Sequence, residues 1–111
     1  MSGRRTYIGQ IGRLKGDMKE EYTRLHSAPW KGVTDMISAC HIENYSIFLY
    51  GDIVFSYFEY TGDDFDADMA KMAADETTQK WWEHTHPCFM TYSVSEKDEY
   101  CADMKQVFYL K

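Results

Sequence analysis

The chain has 111 residues, a net charge of −6 and 16% aromatic residues, which is the length of one domain (1–111) able to bury a core without staples. Its acidic balance speaks against nucleic acid and against an anionic membrane surface, both of which need a basic footprint. The three cysteines, Cys40, Cys88 and Cys101, form no CxxC and no regular spacing, so reduced thiols in a cytoplasmic protein are expected instead of a disulfide framework or a zinc site.

No apolar run approaches the roughly 18 residues of a membrane span, and the stretch Tyr7 to Ile11 is too short and polar for a signal peptide. Residues 6–11 read as a first strand and residues 12–16 as a turn. Asp17, with Glu20 three positions on, forms a capping-box-like start for a helix through Tyr22 and His26. Pro29 starts a new helical turn or kinks the chain. Trp30, Val33, Met36, Ile37 and Cys40 then recur at helical spacings.

Residues 42–49 mix apolar Ile42, Tyr45, Ile47 and Leu49 with polar Glu43, Asn44 and Ser46. Gly51-Asp52 is a turn, and residues 53–60 are strongly β-prone, so the two runs predict a hairpin. Phe65, Met69 and Met72 define the core stripe of an amphipathic helix, with Asp66, Asp68 and Lys71 outside. The acidic group Asp63, Asp64, Asp66 and Asp68 reads as a solvated helix start. Asp75 caps a further helix from residue 76 to about 84, which Pro87 ends. Residues 91–103 read as a polar loop and residues 107–110 as the last strand.

The order β-α-β-β-α-β is the ferredoxin-like, α+β arrangement: one antiparallel sheet with helices on one face. The second strand of the hairpin is apolar at nearly every position, which predicts burial on both sides. A second subunit packing sheet to sheet would supply it, giving a homodimer of the dimeric α/β-barrel type.

Tyr22 and His26, four residues apart, share one helix face. Together with Tyr45 and the Trp81-Trp82 pair they suit a neutral, polyhydroxylated ligand, with rings against its C–H surface and polar groups on its hydroxyls. Consecutive tryptophans on a helix point about 100° apart, so one is expected to stack and the other to pack or offer its indole N–H. Trp30 reads as core or interface packing. The spacing of His84-Thr85-His86 is not that of a helical metal-ligand pair; His84 or His86 is expected to line a pocket beside the tryptophans.

Four runs resemble the L-rhamnose mutarotase family in order and spacing. They are Glu21-Tyr22-Thr23-Arg24-Leu25-His26 with Trp30, Asn44-Tyr45-Ser46-Ile47-Phe48-Leu49, Gln79-Lys80-Trp81-Trp82, and Gln106-Val107-Phe108-Tyr109-Leu110. The resemblance implies a small, usually dimeric enzyme that interconverts the α and β anomers of a free 6-deoxyhexose without cofactor or metal. It implies His26 as proton donor and Tyr22, Tyr45, Trp81 and Trp82 as sugar contacts. L-rhamnose is the implied monosaccharide and L-fucose the alternative. A haem-degrading or quinone-forming monooxygenase and a non-catalytic sugar-binding dimer are the rival readings. The family's Pro/Asn-rich loop is replaced here by residues 86–93, His-Pro-Cys-Phe-Met-Thr-Tyr-Ser, which leaves the choice of sugar open. Ring opening needs two acid/base groups; the second carrier is Tyr22, Tyr45 or a water.

Overall fold

Gly51, at φ +62°, turns the chain between two long strands, a backbone conformation that only glycine adopts without steric cost. Those strands are β2 (Ile42–Tyr50) and β3 (Ile53–Tyr60). In the computed structural model, which describes residues 5–90 and 100–111, β3 also pairs antiparallel with β1 (Thr6–Leu14). The far edge of β1 carries two short antiparallel partners, β4 (Phe89–Met90) beside Arg13 and Leu14, and β5 (Cys101–Met104) beside residues 9–12. The sheet order is therefore β2-β3-β1, then β4 and β5.

Strand alternation assigns the faces. Val54, Ser56, Phe58 and Tyr60 of β3 are buried. They face the helices α1 (Lys19–Ser27), α2 (Lys31–Ala39), α3 (Phe65–Ala73) and α4 (Glu76–Thr85). One core cluster joins Leu14, Val54 and Phe89 of the sheet to Tyr22, Leu25, Val33 and Trp81 of the helices; a smaller one joins Ile42, Phe58 and Tyr60.

Several expectations change. The first strand continues past Gly12 to Leu14. Asp17 does not cap: it lies in a 3-10 turn over Gly16–Met18, and Met18 occupies the N-cap of α1 with no side-chain bond. The helix breaks at Ala28, whose φ of −145° and ψ of 70° lie outside the helical region that a following proline disfavours. Asp75 caps as expected, accepting from the backbone N–H of Thr78 at 2.9 Å, and Asp64, read as part of a solvated helix start, caps as well, accepting from Ala67 N–H at 3.1 Å. On α3, Met69 and Met72 pack partly buried against the smaller cluster, while Phe65 stays 37% exposed. Asp68 is not simply solvated. Its carboxylate accepts from the Tyr60 hydroxyl and lies 3.2 Å from His41 Nδ1.

The last strand also moves. Residues 107–110 form no strand, and Val107, Phe108 and Leu110 are exposed. The edge of β1 is instead taken by β4 and by β5, all but the last residue of which falls within the stretch read as a loop; residues 91–99 of that stretch lie outside the described residues. Gly12 permits the crowding at this edge. A Cβ there would stand 2.9 Å from both Phe89 Cε1 and the Tyr100 carbonyl oxygen.

The edge strand β2 carries a bulge. Glu43 pairs with Glu59 and Ser46 with Tyr57, so Asn44 and Tyr45 together oppose Phe58. Asn44 absorbs the extra residue at φ +50°, in the left-handed region that asparagine tolerates. The frame shift turns Tyr45, Ile47 and Leu49 to the helix side. Asn44→Val is expected to lose about 1–3 kcal/mol of stability, with Asn44→Gly close to the parent. Equal urea midpoints for the two variants would contradict the strained role.

The sheet's other face carries Tyr7, Phe48, Tyr50, Phe55 and Tyr57. Only the tail crosses it among the described residues: Tyr109 stacks on Tyr7 with ring centroids 4.7 Å apart and hydroxyls 3.0 Å apart.

Candidate active site

The final turns of α1 bring Tyr22 and His26 together by helical spacing. Their rings lie 4.2 Å apart, and His26 Nδ1 is 2.8 Å from the Tyr22 carbonyl oxygen. A carbonyl only accepts, so Nδ1 carries the hydrogen. That leaves Nε2 for a ligand: a lone pair when the ring is neutral, a second N–H when it is protonated.

Helix α4 supplies the opposite wall. Trp81 is buried; its ring meets His26 edge-on at 5.5 Å and Trp30 edge-on at 5.3 Å. Trp82, one residue on and so rotated about 100°, lies flat on His86 at 5.3 Å. His86 follows in the 3-10 turn His86–Cys88 and lies flat on Tyr100 at 4.4 Å.

The sheet forms the floor with Gln10 of β1, Val54 and Ser56 of β3, and Tyr45 and Ile47 of β2. Together these elements enclose a cavity of about 150 Å³ into which Tyr22, His26, Tyr45, Trp81, Trp82 and His86 all project. A cavity near that size elsewhere admits benzene, so the space is on the scale of one six-membered ring. A shallower depression of about 440 Å³ over the outer side of α1, lined by Lys19, Glu20 and Arg24, gathers no comparable set of rings.

The electrostatics separate the polar groups. Burial pushes the Tyr22 phenol far above its ordinary range. Although 43% of Tyr45 is exposed along the edge strand, its phenol end is enclosed, and burial pushes it up to about 12. Burial likewise raises the Cys101 thiol, helped by Asp103, and it lowers the His86 imidazole. Among the described residues no carboxylate lines the cavity.

All five residues singled out from the sequence, Tyr22, His26, Tyr45, Trp81 and Trp82, line this one cavity. Of the two further histidines, His86 lines it, whereas His84 faces Trp30 at 5.5 Å. Trp30 is 36% exposed and supports Trp81 from outside. Gln10, Ser56, Thr85, Tyr100 and Cys101 also line the cavity. Strand parity around Val54 signals Gln10 and Ser56; Tyr100 and Cys101 fall in the stretch read as a loop and carry no such signal. Among the described residues no group of three His, Cys, Asp or Glu is placed to hold a metal ion.

The model of the family described as L-rhamnose mutarotase matches residues 7–110. The chain belongs to the L-rhamnose mutarotase family. An L-rhamnose mutarotase of Listeria monocytogenes serotype 4b is 35% identical over 105 residues, spanning 93% of this chain and 96% of the relative. One from Shouchella clausii is 30% identical over 102 residues, 90% and 93% of the two chains. In fold, the crystal structure of the L-rhamnose mutarotase from Formosa agariphila superposes with a TM-score of 0.74 at 18% identity, over 96% of this chain and 99% of that one. Tetracenomycin F2 cyclase of Streptomyces glaucescens superposes at 0.67 with 10% identity, over 96% and 99%. These two likenesses establish the ferredoxin-like architecture, with helix pairs α1–α2 and α3–α4 where a minimal member has single helices.

Proposed function

We propose that this protein is an L-rhamnose mutarotase, an isomerase of the aldose 1-epimerase type that interconverts the α and β anomers of the free sugar. The observation that carries the reading is the joining of His26, Tyr22, Tyr45 and the Trp81-Trp82 pair around a cavity sized for one pyranose ring, in a chain matched by the family model from residue 7 to 110.

Mutarotation opens the hemiacetal, lets the aldehyde carbon turn and recloses the ring. Opening needs a proton delivered to the ring oxygen and one withdrawn from the anomeric hydroxyl. His26 is the donor: with Nδ1 held on the Tyr22 carbonyl, the imidazolium presents its Nε2–H to the ring oxygen. Tyr22 and Tyr45, whose phenols stay protonated, act as hydrogen-bonding orienters. Trp82 and the edge of Trp81 form the wall for the sugar's C–H surface and its C6 methyl.

The assembly that suits this reading is a homodimer. The aromatic sheet face around Phe48, Tyr50 and Phe55 and the tail residues Val107, Phe108 and Leu110 leave a large apolar surface in contact with water, and a second copy packed sheet to sheet covers it. Among the described residues no helix is long and apolar enough to cross a membrane, in keeping with a cytoplasmic enzyme.

The test is exchange NMR on the anomeric protons of L-rhamnose and L-fucose with and without the protein. Protein-dependent exchange, faster with L-rhamnose, is expected. Faster exchange with L-fucose would reassign the substrate. Binding of the sugar without acceleration would replace the enzyme by a sugar-binding protein.

A further inference from the structure

We propose that His86 is the second proton carrier of the reaction, accepting the proton of the anomeric hydroxyl while His26 delivers one to the ring oxygen. The assignment rests on the mutarotase reading and adds to it a residue that lies where the chain departs from the family's Pro/Asn-rich loop.

Chemistry narrows the choice first. The step needs a group that takes and returns a proton near neutrality. Of the cavity's other titratable groups, Tyr22, Tyr45 and Tyr100 are phenols, whose ordinary range lies far above neutrality, and burial shifts Tyr22, Tyr45 and the Cys101 thiol further up. No carboxylate lines the cavity among the described residues. Imidazole is the side chain whose ordinary range spans neutrality, and the cavity holds two, His26 from α1 and His86 from the turn after α4.

The geometry then fits a base. The His86 ring is clamped between Trp82 and Tyr100, with interplanar angles of 19° on both sides. Both faces are occupied, so the ring's plane is set and only its edge, which carries the two nitrogens, is left for a ligand. Neither nitrogen has a hydrogen-bond partner among the described residues, whereas His26 has already spent Nδ1 on a carbonyl. Among the described residues, the titratable groups that line the cavity with His86 are Tyr22 and His26 from α1, Tyr45 from β2, Tyr100 just before β5 and Cys101 at its start. Among the described residues none of these is a carboxylate that would hold a cation there. Burial among rings favours the neutral imidazole at His86, which is the form a base needs.

The protons balance. As the bond between C1 and the ring oxygen breaks, His26 gives its Nε2 proton to that oxygen. His86 removes the anomeric hydroxyl proton, and the released O–H pair becomes the carbonyl π bond. After rotation about the bond from C1 to C2, the freed hydroxyl attacks the other carbonyl face. His26 takes back its proton and His86 returns its own. No proton or electron is gained, and no co-reactant is needed.

The test uses the full chain and two variants. His86→Phe keeps a ring between Trp82 and Tyr100 but cannot carry a proton; His86→Gln covers the case in which the larger ring does not fold. Anomer exchange of L-rhamnose is followed by NMR across the pH range in which imidazole titrates. Because the base must be unprotonated, the parent loses activity as pH falls through the His86 transition. Both variants are expected to lose about 10²-fold or more in kcat, and the acid limb of the pH profile is expected to vanish from what remains. A variant that folds and keeps the parental rate overturns the proposal. So does a slowed variant that keeps the parental acid limb, since a merely structural loss leaves that limb in place. If the parent itself accelerates no exchange, the mutarotase reading falls first and the role of His86 with it.

Discussion

His26→Gln is expected to lower kcat for anomer exchange by about 10²–10⁴-fold, with a smaller change in KM. The side chain is isosteric enough to occupy the space beside Tyr22 and Trp81. The amide can still bond to the Tyr22 carbonyl that His26 Nδ1 meets at 2.8 Å. What it cannot do is exchange a proton near neutrality. The loss therefore falls on the chemical step and not on binding. His41→Asn serves as the control: His41 lies in the separate cluster with Asp68 and Tyr60, and its φ of +66° is one that asparagine tolerates. The control is expected to run at the parental rate. A His26→Gln protein that is folded and undiminished would remove His26 from the mechanism, whatever the fate of His86.

Trp81→Ala is expected to cost about 3–5 kcal/mol in urea unfolding, a large part of the ~5–15 kcal/mol that holds a typical domain together. Trp81 is 6% exposed and joins α1, α2 and α4: it shares the main core with Tyr22, Leu25 and Val33, and its ring touches His26 and Trp30. Truncation leaves a void beneath the imidazole as well as removing transfer energy. Activity should therefore fall even at temperatures where the variant is folded. Trp81→Phe should recover much of the stability because it refills most of the volume. An unchanged urea midpoint for Trp81→Ala would contradict the central placement of this ring.

Trp82 shows why two adjacent tryptophans divide their work. The rotation of about 100° between neighbours on a helix sends Trp81 into the core and Trp82 along the rim to His86. That division follows from α4 being helical, and the sequence discloses it. The gathering of Tyr22 with His26 is equally local, a four-residue step on α1. Residue spacing in these two helices therefore points to the cavity before any tertiary contact is known.

Tyr45 marks a half-way case. The apolar residues Ile42, Tyr45, Ile47 and Leu49 do not keep a strict alternation, because the first interval is three and the others are two. The irregularity is the bulge, and Asn44 between the first two is the residue that can absorb it at φ +50°. Pattern and residue type together carry the signal. Only the pairing with Phe58 reveals that the shift turns the phenol toward the helices.

The C-terminal part was not legible for a different reason. Val107 to Leu110 has stronger β character than Cys101 to Met104, yet the weaker run pairs with β1. Edge pairing is decided by which segment can reach the open backbone groups. Gly9 and Gly12 leave space on β1 for Met104 and for Phe89, Tyr100 and Cys101, and that steric fit is non-local. The same packing brings Tyr100 over His86 and so builds a wall that no local pattern announces.

The sequence by itself determined the helix-and-strand order from β1 through α4, the cap at Asp75, the glycine turn at Gly51 and the shared face of Tyr22 and His26. Each depends on side-chain spacing or backbone preference within a few residues. Tertiary structure alone decided that β5 replaces the apolar tail at the sheet edge, that Asp68 joins Tyr60 and His41, and that His86 is clamped between Trp82 and Tyr100. Those outcomes depend on which distant surfaces meet, and the free energy of burying one ring against another is assigned only when the chain has closed on itself.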